Sequence, residues 1–148
     1  GDKLRNSKFG FVFQQFFLNA NDTVLNNVVL PLRIAGVGKR AREKRGMEVL
    51  AGVDLIEKAK NKANDLSGGQ KQRVCIARAL INNPEVIFAD EPTGNLDDFN
   101  ADVVWNLLKG ANEQLGITVV VVTHRVPKNL GINFRQLSIE DGIIYEVS

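Results

Sequence analysis

Two short apolar runs, Val86 to Ala89 and Thr118 to Val122, are joined by a helical stripe through Val103, Val104, Leu107, Leu108, Ala111 and Leu115 that closes at Gly116. A run with four consecutive valines has no polar alternation, so it reads as a strand buried on both faces. Strand, crossover helix and strand in that order demand parallel pairing. The chain is therefore expected to form an α/β fold whose parallel sheet is covered on both faces and binds ligands at the carboxyl ends of its strands. FGFVF, Phe9 to Phe13, is a further strand of the same kind. All three runs end on polar residues, at Gln14, at the Asp90 and Glu91 pair, and at His124. One sheet edge would thus gather an amide, two carboxylates and an imidazole.

Composition narrows the class without choosing the partner. With 148 residues and 44% hydrophobic side chains, the chain is long enough for one ordinary core. The formal charge of +2 argues neither for nucleic acid nor for an acidic membrane surface. The lone cysteine, Cys75, has no internal partner, and no apolar run approaches the roughly 18 residues of a spanning helix. These features predict a reducing, cytosolic setting with no direct membrane insertion. No secretory signal is visible, and the start at Gly1 in place of Met points to a fragment or processed chain.

Between the first strand and the second the pattern is helical. Val24, Val28 and Val29 precede an expected break at Pro31, and Met47, Leu50, Val53, Leu55 and Ile56 follow a basic stretch from Lys39 to Arg45. Two or three surface helices are expected from Phe16 to Leu66. Ser67 to Gln70 then opens a helix carrying Val74, Cys75, Ala77, Leu80 and Ile81, which ends near Asn82, Asn83 and Pro84. Phe134 to Ile139 and Ile143 to Val147 flank Asp141 and Gly142, a hairpin signal.

Ser67, Gly68, Gly69 and Gln70 fit a capping box, in which hydroxyl and amide satisfy the first free donors of a helix. The box leaves two helix-weakening glycines unexplained. Bare N–H groups at the positive end of a helix dipole admit an anion closely, and Lys71 and Arg73 add charge nearby. Asp90 and Glu91, held rigidly by a strand end, meet the needs of metal-assisted phosphoryl transfer: one carboxylate beside the metal, another to orient water.

These segments together, LSGGQKQRVCIARAL (Leu66 to Leu80), VIFADEPTGNLD (Val86 to Asp97) and VVVVTH (Val119 to His124), resemble an ATP-binding cassette (ABC) transporter ATPase in order and spacing. FVFQQF resembles the family's Q-loop, and NNVVLPLRIAG with ADEPTGNLD looks most like the lipoprotein-release, macrolide-export and cell-division branch. The resemblance implies an incomplete P-loop NTPase core with a parallel sheet plus an inserted helical subdomain. Residues 1–15 would be core strand and Q-loop, 16–82 the helical subdomain with the signature helix, and 83–148 core. It also implies ATP and Mg²⁺ as cofactors. By position, Gln14 would touch Mg²⁺ and sense the membrane subunit, and Ser67, Gly68, Gly69 and Gln70 would bind the γ-phosphate held by an opposite cassette. Asp90 would hold Mg²⁺ through water, and Glu91 would polarise the attacking water. Asp97 would reach across the dimer, and His124 would contact the γ-phosphate. The chain departs from the family after His124, where Arg125, Val126 and Pro127 replace the usual acidic residue.

The implied partners are a transmembrane permease subunit and a second cassette, identical or not, and the implied location is peripheral, on the cytoplasmic face of a membrane. The phosphate loop G-x-x-x-x-G-K-[ST] is absent from the sequence: at Gly38-Lys39, Arg33 stands where the first glycine belongs and Arg40 where the hydroxyl belongs. For these residues alone the expectation is no tight ATP binding, low stability, and a sheet lacking the central strand that leads into that loop. A non-hydrolysing interaction module is the alternative. The heads of chromosome-maintenance ATPases share these motifs but place a long coiled coil between Q-loop and signature, and no such heptads separate Gln14 from Ser67. No basic stripe with stacking aromatics supports nucleic acid.

Overall fold

The computed structural model describes residues 9–124, 134–139 and 142–147. Strands β1 (Phe9–Phe13), β2 (Val86–Asp90) and β3 (Thr118–Val122) pair in parallel, side by side. The hairpin strands β4 (Phe134–Ile139) and β5 (Gly142–Val147) pair with each other, and β5 adds antiparallel to the outer edge of β3, giving the order β1-β2-β3-β5-β4. The described sheet thus runs from β1 to β3 without a gap, and the far edge of β3 is taken by an antiparallel strand.

The helical region holds two α-helices, α1 (Val24–Ile34) and α2 (Lys39–Gly52), then 3₁₀ turns at Ile56–Lys58 and Ala63–Asp65. Thr23 caps α1 by accepting from the Asn26 N–H. Two expectations are corrected here. Pro31 lies inside α1, which continues to Ile34; the proline removes a single bond, to the Asn27 carbonyl, at a half-exposed position where the helix survives it. The basic stretch Lys39 to Arg45 is the first half of α2, while Leu55 and Ile56 lie beyond its end. The rejected Gly38-Lys39 site is the start of that helix and no phosphate cradle.

α3 (Gly68–Leu80) packs on β1, α1 and α2, and α4 (Asp98–Leu115) packs on β3 and α3. Gly116 ends α4 in the left-handed conformation, φ 71°, as its sequence position predicts. Beneath the two helices lie Val12, Ile87, Ala89, Val119 and Val121, all at most 1% exposed. The expected cover on both faces is not met among the described residues. On the opposite face Phe9, Phe11, Phe13 and Phe88 are 38% to 52% exposed and form a chain of ring contacts with centroids 5.6 to 6.1 Å apart. Residues 140 and 141 and Arg125, Val126 and Pro127 lie outside the described residues.

Candidate functional site

Strand register brings the polar ends together. Phe13 pairs with Asp90 and Asp90 with Val122, so Gln14, Glu91 and Thr123 emerge next to one another at the carboxyl edge. Asp90 ends β2 on the same face as Phe88 and is exposed.

Glu91 breaks the alternation. Its N–H extends the sheet ladder by donating to the Val122 carbonyl at 2.8 Å, while its φ of 44° turns the chain into the left-handed region that non-glycine residues avoid. That turn carries the carboxylate to the end of β3. There Oε2 accepts from the Thr123 hydroxyl at 3.1 Å and Oε1 from the His124 N–H at 3.0 Å. The His124 Nε2 stands 3.7 Å from the same Oε1, and its ring is largely exposed. A strained backbone, held by two donors from the end of the neighbouring strand, fixes one carboxylate beside a largely exposed imidazole.

Gln14 donates from its amide nitrogen to Asn95 Oδ1 at 3.1 Å, which leaves its oxygen as the end able to meet a cation. The loop after Glu91 therefore touches Gln14, and it goes on to Asp97, which caps α4 by accepting from the Asn100 N–H and side-chain amide, both at 2.8 Å. No three His, Cys, Asp or Glu side chains cluster as a metal cage among the described residues. Asp90 and the Gln14 amide oxygen are hard oxygen donors at this edge, of the kind that Mg²⁺ takes while keeping several of its own waters.

Ser67 and Gln70 form the expected capping box: the Ser67 hydroxyl accepts from the Gln70 N–H and the Gln70 amide oxygen from the Ser67 N–H. The two glycines separate. A Cβ on Gly69 would lie 2.2 Å from Asn100 Oδ1, so this glycine is explained by the close approach of α4, whereas a Cβ on Gly68 would meet nothing nearer than 3.9 Å. Only Gly68 keeps the exposed, unobstructed approach inferred for an anion. Among the described residues no hydrogen bond joins Ser67 to Gln70 with Asp90, Glu91 or His124. The helix start and the strand ends are two distinct places, linked through the Pro92 to Asp97 turn.

Three residues at the site were not anticipated: Thr123, Asn95 and Gln72. Gln72 is 1% exposed on α3, and its amide nitrogen donates to the carbonyls of Phe13, at 3.0 Å, and of Pro92. Its signal in the sequence was a polar residue one helical turn before Cys75 and Ile76, on the apolar stripe of that helix. Farther along, Cys75 Sγ donates to the Phe16 carbonyl at 3.0 Å and Arg78 to those of Phe17 and Phe16 at 2.9 and 3.3 Å. Burial pushes the Cys75 thiol up to about 11, so it stays protonated and able to donate.

With this geometry in hand, comparison with known proteins is specific. Residues 2–94 match the family model described as ABC transporter. Over 120 residues the chain is 49% identical to the lipoprotein-releasing system ATP-binding protein LolD of Bacteroides thetaiotaomicron, covering 81% of this chain and 55% of that protein. Over 144 residues it is 46% identical to the macrolide export ATP-binding/permease protein MacB of Syntrophobacter fumaroxidans, covering 95% and 20%. Among solved structures, the dimeric ATP-binding cassette MJ0796 bound to ADP and Pi superposes with a TM-score of 0.70 at 50% identity, covering 84% of this chain and 55% of that one. CbiO1 of Clostridium perfringens, part of the transporter complex cbiONQ, does so with 0.74 at 32% identity, covering 84% and 49%. The chain spans about half the length of LolD and of these cassettes. Its α/β sheet and helices are those of part of a P-loop NTPase core, and the chain belongs to the ABC transporter family as part of its ATPase domain.

Proposed function

We propose that these residues are the catalytic-edge and signature portion of a cassette that hydrolyses ATP to drive a transmembrane permease from the cytoplasmic face. The observation that carries this is Glu91, turned by a left-handed φ and held through both carboxylate oxygens by Thr123 and His124 at the end of a parallel sheet. A carboxylate fixed there accepts the proton of an attacking water, and the neighbouring His124 ring donates to phosphate oxygen. Asp90 and the Gln14 oxygen would hold Mg²⁺, whose chemistry when bound is to neutralise phosphate charge. The phosphate loop would come from the part of the cassette that this chain does not span. The division into core (1–15 and 83–148) and helical subdomain (16–82) belongs to the same reading.

A second cassette is the other partner. In a head-to-tail pair Ser67 to Gln70 of one copy would complete the ATP site of the other, with Asp97 reaching across. Charge supports that arrangement: residues 22–80 hold 12 Lys and Arg against 6 Asp and Glu, and residues 85–115 hold 1 against 7. No helix among the described residues is long and apolar enough to cross a membrane. The test is Mg²⁺-dependent ATP hydrolysis by this chain alone and joined to a segment bearing the phosphate loop, each with Glu91→Gln. Turnover only in the joined protein, lost by at least about 100-fold in Glu91→Gln while nucleotide binding persists, is the expected result. Binding without turnover in the joined native protein would favour the non-hydrolysing module.

A further inference from the structure

Among the described residues, Gln72 is the helix side chain hydrogen-bonded to both loops that carry the reacting groups. Its amide nitrogen donates to Phe13, the residue before Gln14, and to Pro92, the residue after Glu91. It stands on α3, five residues beyond Ser67. Two carbonyl acceptors need two hydrogens on one atom, which an amide NH₂ supplies and a hydroxyl does not. The reversed amide would set its oxygen against both carbonyls, so the acceptors dictate the orientation.

The amide comes at a cost. Gln72 Oε1 is buried without a partner among the described residues, a situation that destabilises the fold. A methionine or leucine would fill the same space without that penalty, and the flanking stripe positions are apolar. Packing therefore does not account for glutamine here, whereas the tie between the two loops does.

We infer that Gln72 is a positioning residue: it fixes the Gln14 and Glu91 loops to each other and to the helix that begins at Ser67. This rests on the functional reading above and deepens it. Ser67 would serve the partner's nucleotide and Glu91 its own, so a displacement of the Ser67 helix reaches Glu91 through one shared amide. The Gln14–Asn95 bond joins the two loops without reaching α3, and Cys75 and Arg78 hold the next part of the Gln14 loop but make no bond to the Glu91 loop, so among the described residues Gln72 is the hydrogen-bonded tie from the helix to both.

Gln72→Met keeps length and burial and removes both donors. In the 148-residue chain, amide hydrogen exchange should quicken by about tenfold in residues 13–17 and in 93–95 together, with α3 from Val74 onward unchanged. In the joined cassette, kcat should fall about tenfold with KM for ATP held within about twofold. Unchanged exchange in either loop, or loosening spread equally along α3, overturns the inference, as does a cassette in which kcat is unaffected. Should Glu91→Gln leave turnover of the joined native cassette intact, the functional reading fails by itself, and the exchange result still decides what Gln72 holds.

Discussion

The two faces of the sheet are written by alternate residues of the same strands, yet they end in opposite environments. On one face Val12, Ile87, Ala89, Val119 and Val121 lie sealed under α3 and α4. On the other, the larger rings of Phe9, Phe11, Phe13 and Phe88 remain substantially exposed, packed mainly on one another. A parallel sheet whose sequence is apolar on both sides asks for two covers, and the described residues supply one. The open face is also the face of Asp90, so the side left uncovered by the described residues is the side of the carboxylate proposed above to hold Mg²⁺. A segment bearing a phosphate loop would answer both needs at once.

The sharpest way to break this comparison is to delete side chains from each face. Ile87→Ala, at a site with no exposure, should lower unfolding free energy by about 2–5 kcal/mol in urea denaturation. Phe11→Ala removes more atoms and should cost about 1 kcal/mol, chiefly its stacking on Phe13 and Phe88. Equal losses would mean that the aromatic face is covered in solution. In the joined cassette the Phe11 cost should rise toward that of Ile87, which sharpens the point.

The covered side also hides a buried thiol, Cys75. Folding raises the Cys75 thiol from an ordinary 9.0 to about 11 by burial. A raised pKa means that the folded chain holds its proton more tightly, so this contribution is fully present below pH 9.0 and is lost as pH climbs through about 11. The loss should reach about 2–3 kcal/mol at its limit. Native stability followed between those pH values should fall more steeply than that of Cys75→Ala, and thiol reagents should react slowly below them.

How far the sequence could be read differs between these regions for physical reasons. β1 and β3 were found at their bounds because short aromatic and β-branched runs with polar ends have no other comfortable structure. The convergence of Gln14, Glu91 and His124 followed from parallel strand order alone. α2 was blurred because Lys39 to Arg45 is polar all round and gives no apolar period, and Pro31 carried a breaker signal that one missing bond did not enforce. Thr123, Asn95 and Gln72 escaped because their roles are contacts between segments 20 to 81 residues apart, which no local pattern encodes. Strand alternation made both faces of β1 legible as apolar, but whether each finds a cover is a property of the assembled chain.

The smallest effect separates the two glycines of the signature turn, where sequence gave them one explanation and packing gives two. Gly69→Ala drives its methyl against the Asn100 amide, which must rotate off Asp97 and give up a 2.8 Å hydrogen bond. A loss of about 1 kcal/mol is expected, and Asn100→Ala, which keeps only the Cβ 3.0 Å away, should remove most of that increment in a double-mutant cycle. Gly68→Ala meets no atom closer than 3.9 Å and replaces glycine in the first turn of a helix, so stability should hold or rise by up to about 1 kcal/mol. If backbone access for a phosphate is the reason for Gly68, the joined cassette carrying Gly68→Ala should be as stable as the native protein and hydrolyse ATP several-fold more slowly. A Gly68→Ala cassette with native turnover would leave the signature turn with a packing role at Gly69 and a capping role at Ser67, and would move the anion site away from its backbone.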